Sequence, residues 1–289
     1  MKETKGLRIF DTNAPYHYKA FGMLLLAAIV FIISVTVCAI ALIIAPSTAL
    51  YMQALSTILL FGGTTFWFWY IYRQMGEAKA ILHQNFRIGW VFVVLLLLAI
   101  SAPLVNSVSV EDTQSTKLLI NMMDGSYVGL VKIIICLAIV PGICEELFFR
   151  GFMQKFIISW TRSALAGIFI TAAIFSFIHF DAQNFVARLL LGLVLGLLYQ
   201  YSGRLWTSML FHALNNTIAC IPLWLFVRTN QMPETTDISW IWVVVSLCLL
   251  LAWVVFNELK NKRSIRNNSL DLKDSKINTR FRNFEEKDF

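Results

Sequence analysis

Charge is what this chain has least of. Asp, Glu, Lys and Arg make up 14% of its 289 residues, against roughly 25% in a soluble domain. With 58% hydrophobic residues and a mean hydropathy of +0.68, that shortage excludes a disordered chain, a basic nucleic-acid-binding domain and an ordinary cytosolic enzyme. Cysteine is sparse too. Cys38, Cys136, Cys144, Cys220 and Cys248 lie in apolar stretches at irregular spacing. Without CxxC or zinc-finger spacing they indicate neither a disulfide framework nor a thiolate metal site, and they read as small buried hydrophobes. There is no HExxH, and no internal repeat of the kind that marks the inverted halves of a transporter.

What is present is long apolar runs. A spanning helix needs roughly 20 mostly apolar residues, because each rises about 1.5 Å across a hydrocarbon layer about 30 Å thick. Eight runs qualify: Phe21–Ala45, Ala49–Tyr72, Ile88–Val105, Tyr127 to about Met153, Ser163–Phe180, Val186–Tyr201, Leu205–Val227 and Ile238–Glu258. Helices are expected over strands because unpaired backbone in lipid costs several kcal/mol per group. The fold class is therefore all-α, a polytopic membrane bundle of about eight helices. The first run has an Ala39-Ile40-Ala41 resembling a signal-peptide cleavage site, but its length and the twenty residues before it predict a retained helix.

The cations orient the bundle. Placing successive connections on alternate sides puts twenty Lys and Arg on one face and three on the other, with Lys132 inside a span and expected to snorkel. Both termini are expected in the cytoplasm. In a bacterial cell the membrane would be the inner, or plasma, membrane. The net charge of +7 is concentrated outside the spans, and the stretch beyond Leu259 holds nine Lys or Arg against five Asp or Glu. That pattern suits a membrane surface rather than DNA.

Ionisable groups inside spans are expensive and so are functional candidates. Three clusters stand out: Glu145-Glu146 with Arg150, after Pro141-Gly142; Phe175 with His179; and His212 with Asn216. Glu146 and Arg150 are four apart and share a helix face, as do His212 and Asn216. Glu145 points about 100° away from Glu146, which leaves its carboxylate for another task. Pro141-Gly142 is expected to kink or start a helix, placing the carboxylates near a helix N-terminus. A hairpin turning near Arg162 would bring Glu145 and His179, each seventeen residues from the turn, to the same height. Taken singly, each cluster has a structural reading: a Glu–Arg pair, a packing histidine, helix–helix glue. His17 and His83 lie in polar segments and are given no role. The run Phe66 to Tyr70 reads as an interfacial aromatic belt.

Together and in this order, Glu145-Glu146-x-x-x-Arg150, Phe175-x-x-x-His179 and His212-x-x-x-Asn216 resemble the CPBP family, the CAAX proteases and bacteriocin-processing enzymes also called Abi, which includes relatives of type II CAAX prenyl endopeptidases. The resemblance covers about Val140 to Ile218. It implies an intramembrane endopeptidase, with Glu145 as the base that activates water and His179 assisting. His212 and Asn216 would stabilise the oxyanion, and Arg150 would hold Glu146. The family is commonly labelled a metalloprotease. Zinc held by Glu145, His179 and His212 and a metal-free glutamate/histidine mechanism use the same residues, and both stay open. Partners on this reading are membrane lipid and a peptide or lipidated protein substrate, with no nucleic acid.

The expected organisation is a cytoplasmic arm at 1–20, N-terminal spans and loops at 21–126, a catalytic membrane core at 127–258 and a basic, disordered cytoplasmic tail at 259–289. Two other classes of function remain. A non-catalytic adaptor or bacteriocin-immunity-type protein would keep the fold but has no need of Glu145. A proton-coupled transporter would use the buried Glu and His groups.

Overall fold

The computed structural model describes residues 48–66, 85–110, 113–231 and 239–261, with isolated positions between 25 and 44. Most of the expected first span, His17, His83, most of the Phe66–Tyr70 belt, the N-terminal arm and nearly all of the basic tail lie outside the described residues. Among the described residues the fold is all-helical, without strands.

The helices follow the apolar runs. They are α1 (Ala49–Phe66), α2 (Gly89–Asn106), α4 (Tyr127–Ile158), α6 (Phe185–Ser202), α7 (Leu205–Thr229) and α8 (Trp240–Asn261), six helices long and apolar enough to cross a membrane. A short amphipathic helix, α3 (Gln114–Asn121), lies between α2 and α4. The helix α5 (Ala164–Phe177) is apolar but has only 14 residues, about 21 Å of rise, less than a full hydrocarbon layer. Among the described residues there are thus six spanning candidates and one shorter apolar helix, at the positions of seven of the eight expected spans.

Local chemistry sets the ends. Thr113, Ser126 and Ser163 each accept a hydrogen bond from a backbone N–H in the first turn of the helix that follows. Arg162, Gly203 and Asn230 adopt left-handed φ and stop the helices before them. The turn at Arg162 reverses the chain between α5 and α4, which continues past its apolar part, Tyr127–Ile158, to Thr161, where the sequence predicts a hairpin.

The Pro141-Gly142 expectation needs correction. No new helix begins there. The backbone keeps right-handed helical angles from Ile133 through Pro141, and a π-helical turn at Ile134–Ile139 absorbs the proline. Glu145 and Glu146 therefore lie mid-helix, away from any N-terminal dipole. A second π-helical turn, Phe149–Met153, follows them at once.

Two apolar cores flank the site. One joins Leu50, Ala54, Ile133, Cys136, Cys220 and Trp224. The other joins Val94, Leu97, Leu191, Leu195, Leu198 and Phe211. Outward, α8 exposes Trp240, Trp242, Leu247 and Leu251, a surface that water would penalise and lipid accommodates. Lys132 is exposed, as a snorkelling residue would be. The four described cysteines are free thiols.

Candidate active site

Glu146 is the hub. Its side chain is fully buried, and Oε1 accepts hydrogen bonds from Arg150 Nη1 at 2.8 Å and from His212 Nδ1 at 2.9 Å. The first bond follows from the four-residue spacing on α4, and the second crosses to α7. Glu146 paired to Arg150 is an acceptor only, so the proton between Glu146 and His212 belongs on Nδ1. That leaves Nε2 of His212 as the working nitrogen. It faces Glu145 Oε2 at 3.9 Å, too far for a direct hydrogen bond. The imidazole thus lies between the two carboxylates, although the glutamates point in different directions along α4. The second carboxylate oxygens, Glu145 Oε2 and Glu146 Oε2, are buried without a hydrogen bond among the described residues.

Arg150 is also fully buried. Its Nη2 donates to the carbonyl of Gly192 at 2.9 Å, and Gln154, one turn on, donates through Nε2 to the carbonyl of Gly196 at 3.2 Å. Two side chains four apart on α4 thereby dock on two glycines four apart on α6. Glycine at these two positions also lets α6 lie close against α5. A Cβ on Gly192 would stand 3.0 Å from Ala172 Cβ, and one on Gly196 would stand 2.9 Å from Ile168 Cγ2. Gly142 does the same between α4 and α7, where a Cβ would stand 2.9 Å from the backbone nitrogen of Ala213, next to His212.

Phe175 ties the histidines together. Its ring meets His179 edge-on with centroids 4.9 Å apart and His212 at 5.7 Å, and the Arg150 guanidinium carbon lies 5.1 Å from its centroid. The carbonyl of Phe175 bonds His179 Nδ1 at 2.6 Å. That assigns the Nδ1 proton to the bond and leaves Nε2 as an acceptor. His179 is half-buried, whereas His212 is 2% exposed.

Asn216 is placed differently from a free oxyanion donor. Its Nδ2 donates to the carbonyl of Leu137 at 3.2 Å, and Oδ1 accepts from Asn215 at 3.4 Å. The α-helical donor for the Leu137 carbonyl would be the N–H of residue 141, and that residue is proline. Asn216 supplies the hydrogen bond that Pro141 cannot.

A catalytic zinc needs three protein ligands converging on one point. Among the described residues no three His, Cys, Asp or Glu side chains group closely enough to hold one ion. The Nδ1 bonds of His212 to Glu146 and of His179 to the Phe175 carbonyl leave both Nε2 atoms open, as in a ligating histidine, so the obstacle is the grouping, with Glu145 Oε2 3.9 Å from His212 Nε2. The set Glu145, His179 and His212 does not fit a three-ligand zinc site in this arrangement.

Sequence reasoning missed Gln154, Gly192 and Gly196. The signal was available in the small-xxx-small spacing of the two glycines. It also missed Asp181, Asn184 and Arg188 beside His179, for which spacing gave no sign.

No curated protein and no solved structure matches the chain. A family model does. Residues 127–218 match the Rce1-like family, described as type II CAAX prenyl endopeptidase Rce1-like. The match covers about a third of the chain and contains Glu145, Glu146, Arg150, His179, His212 and Asn216. This stretch of the protein is therefore similar to a protease family, in a way consistent with the CPBP family.

Proposed function

We propose that the protein is an intramembrane endopeptidase that hydrolyses a peptide bond of a membrane-associated or lipidated peptide or protein. One observation carries the reading. The imidazole of His212 stands between two buried carboxylates, one fixed by Arg150 and the other, Glu145, with its Oε2 free of hydrogen bonds among the described residues.

The chemistry follows from the atoms left over. Glu145 Oε2 and His212 Nε2 are 3.9 Å apart, so one water can hydrogen-bond to both. Glu145 takes a proton from that water as its oxygen attacks the substrate carbonyl carbon. His179 assists through its acceptor Nε2. His212, its Nδ1–H held by Glu146, takes a proton at Nε2 from solvent before the attack and is stabilised as a cation between the two carboxylates, and Nε2–H then donates to the oxyanion. The second Nδ2 hydrogen of Asn216 serves the same oxygen. Glu145 returns its proton to the leaving amine as the C–N bond breaks. Arg150 positions Glu146 and touches no reacting atom. No step here is routed through a metal. The cation asymmetry supports cytoplasmic termini and a site reached from the cytoplasmic side.

The test uses purified full-length protein and an internally quenched peptide carrying an S-farnesyl cysteine fourth from its C-terminus, a probe that the matched family's description suggests. Glu145→Gln is expected to abolish cleavage while leaving the detergent-solubilised protein folded. Undiminished turnover in that variant would remove the reading. Activity that survives chelation, in protein free of zinc by elemental analysis, supports the metal-free mechanism. Loss on chelation with recovery on adding zinc refutes it.

A further inference from the structure

The turn between α5 and α6 is held more firmly than a connection requires. It carries His179. Its next residue, Phe180, has φ 50°, a left-handed conformation that costs a bulky side chain and persists only where the surroundings over-determine it. The surroundings here are three side chains. Asp181 Oδ2 accepts from Arg188 Nη2 at 2.9 Å and from Asn184 Nδ2 at 3.3 Å. Arg188 Nη1 also donates to the Asp181 carbonyl at 3.5 Å. Asn184 reaches in the other direction. Its Nδ2 donates to the Val110 carbonyl at 3.0 Å, and its Oδ1 accepts from the Val110 N–H at 2.7 Å. The amide therefore pairs with one backbone residue just beyond α2, as a neighbouring strand would. Ser176 closes the fourth side by donating Oγ to the Phe185 carbonyl at 2.6 Å. Arg188 lies within electrostatic reach of both His179 and Glu145.

We propose that Asp181, Asn184 and Arg188 form a positioning latch that holds the left-handed turn at Phe180 and so fixes the imidazole of His179 at the site. The proposal rests on the endopeptidase reading above. The ring of His179 is fixed at Nδ1 by the Phe175 carbonyl and its N–H donates to the Ser176 carbonyl at 3.3 Å, so the end of α5 holds its N-terminal side and this turn its C-terminal side. Without the latch, residue 180 relaxes to an ordinary φ and the chain on either side of it swings. A displacement of about 1 Å at a catalytic group costs up to roughly 100-fold in rate. A weakened latch, with the turn still partly populated, is expected to cost about tenfold. None of the three residues is assigned a substrate contact, so the loss falls on kcat.

The experiment measures kcat and KM on the farnesylated peptide for the full chain and for Asn184→Ala, Arg188→Gln and Arg188→Lys. Rates are normalised to the folded, monodisperse fraction. The latch predicts a roughly tenfold fall in kcat for Asn184→Ala and Arg188→Gln with KM within about twofold. It predicts at least half of the wild-type kcat for Arg188→Lys, whose ammonium still reaches Asp181. Four outcomes overturn it: unchanged kcat in both disruptive variants, a loss confined to KM, a loss that normalisation removes, or Arg188→Lys as poor as Arg188→Gln. A wild-type chain inert on the probe, with Glu145→Gln indistinguishable from it, overturns the endopeptidase reading and the latch with it. An active wild type with fully active latch variants overturns the latch alone.

Discussion

Replacing Arg150 by methionine tests the hub of the site. Methionine keeps much of the apolar stem and removes the guanidinium. Arg150 and Glu146 both have fully buried side chains, with Nη1 to Oε1 at 2.8 Å. At that separation the gross attraction is about 6 kcal/mol for an effective dielectric of 20, before desolvation is subtracted. The consequence of the change is larger than a lost bond, because Glu146 stays behind as a buried carboxylate with only the His212 N–H beside it. The Gly192 carbonyl loses its Arg150 donor as well. Breaking a buried pair from one side costs about 3–5 kcal/mol, whereas replacing both partners with apolar residues is close to neutral. Arg150→Met is therefore expected to cost about 3–5 kcal/mol. Arg150→Met with Glu146→Leu is expected to recover most of that loss, while both proteins fail to cleave peptide. Unfolding in mixed micelles of rising dodecyl sulfate fraction, followed by tryptophan fluorescence, measures the difference. A single variant that loses less than about 1 kcal/mol, or a double variant no more stable than the single, would refute the buried-charge argument.

Gly192→Ala brings a Cβ to 3.0 Å from Ala172 Cβ and 3.1 Å from its Cα, so α5 and α6 must separate. The expected cost is about 1–3 kcal/mol, with reduced cleavage because the Gly192 carbonyl anchors Arg150. Gly203→Ala is the control: nothing lies within 4 Å of its Cβ, and its φ is +62°. It should lose about 1–2 kcal/mol in the same unfolding assay and keep full activity. Asn216→Ala leaves the Leu137 carbonyl without its side-chain donor and is expected to cost about 1–3 kcal/mol. In a Pro141→Ala background, where residue 141 regains an N–H, the same change should cost less than half as much. Equal costs in the two backgrounds would contradict the pairing of Asn216 with Pro141.

Much of the helix layout was legible because lipid imposes a length rule that few other environments impose. The predicted Leu205–Val227 and the observed Leu205–Thr229 differ by two residues at one end. The predicted Ile88–Val105 is observed as Gly89–Asn106. The chain reversal at Arg162 was legible, and it lies where the hairpin was expected. The limits were equally physical. Apolar length identifies a run but not whether it crosses, and α5 is too short to span alone. The apolar span of α4 was expected to end at about Met153, and the helix continues beyond it to Thr161, next to the expected turn at Arg162. Gln154 is fully buried, docked on the Gly196 carbonyl.

The harder part to read was α4 on either side of its two glutamates. Spacing rules assume 3.6 residues per turn, and two π-helical turns break that period within about twenty residues. The Glu146–Arg150 pair survives because their side chains still meet four residues apart. The step from Glu145 to His212 could not be drawn from a helical wheel, because the wide turns rotate one stretch of the helix against the next. Pro141 belongs to the same cause. A proline inside a helix costs several kcal/mol unless its surroundings re-satisfy the freed carbonyl, and here the surroundings are Asn216 on α7. The side chain that compensates the proline lies one turn from His212, so the contact that stabilises α4 also sets the register of α7 against it. Loss of that contact should therefore disturb the His212–Glu146 bond before it unfolds the bundle, which makes Asn216 a determinant of the site's geometry whatever it contributes to the oxyanion.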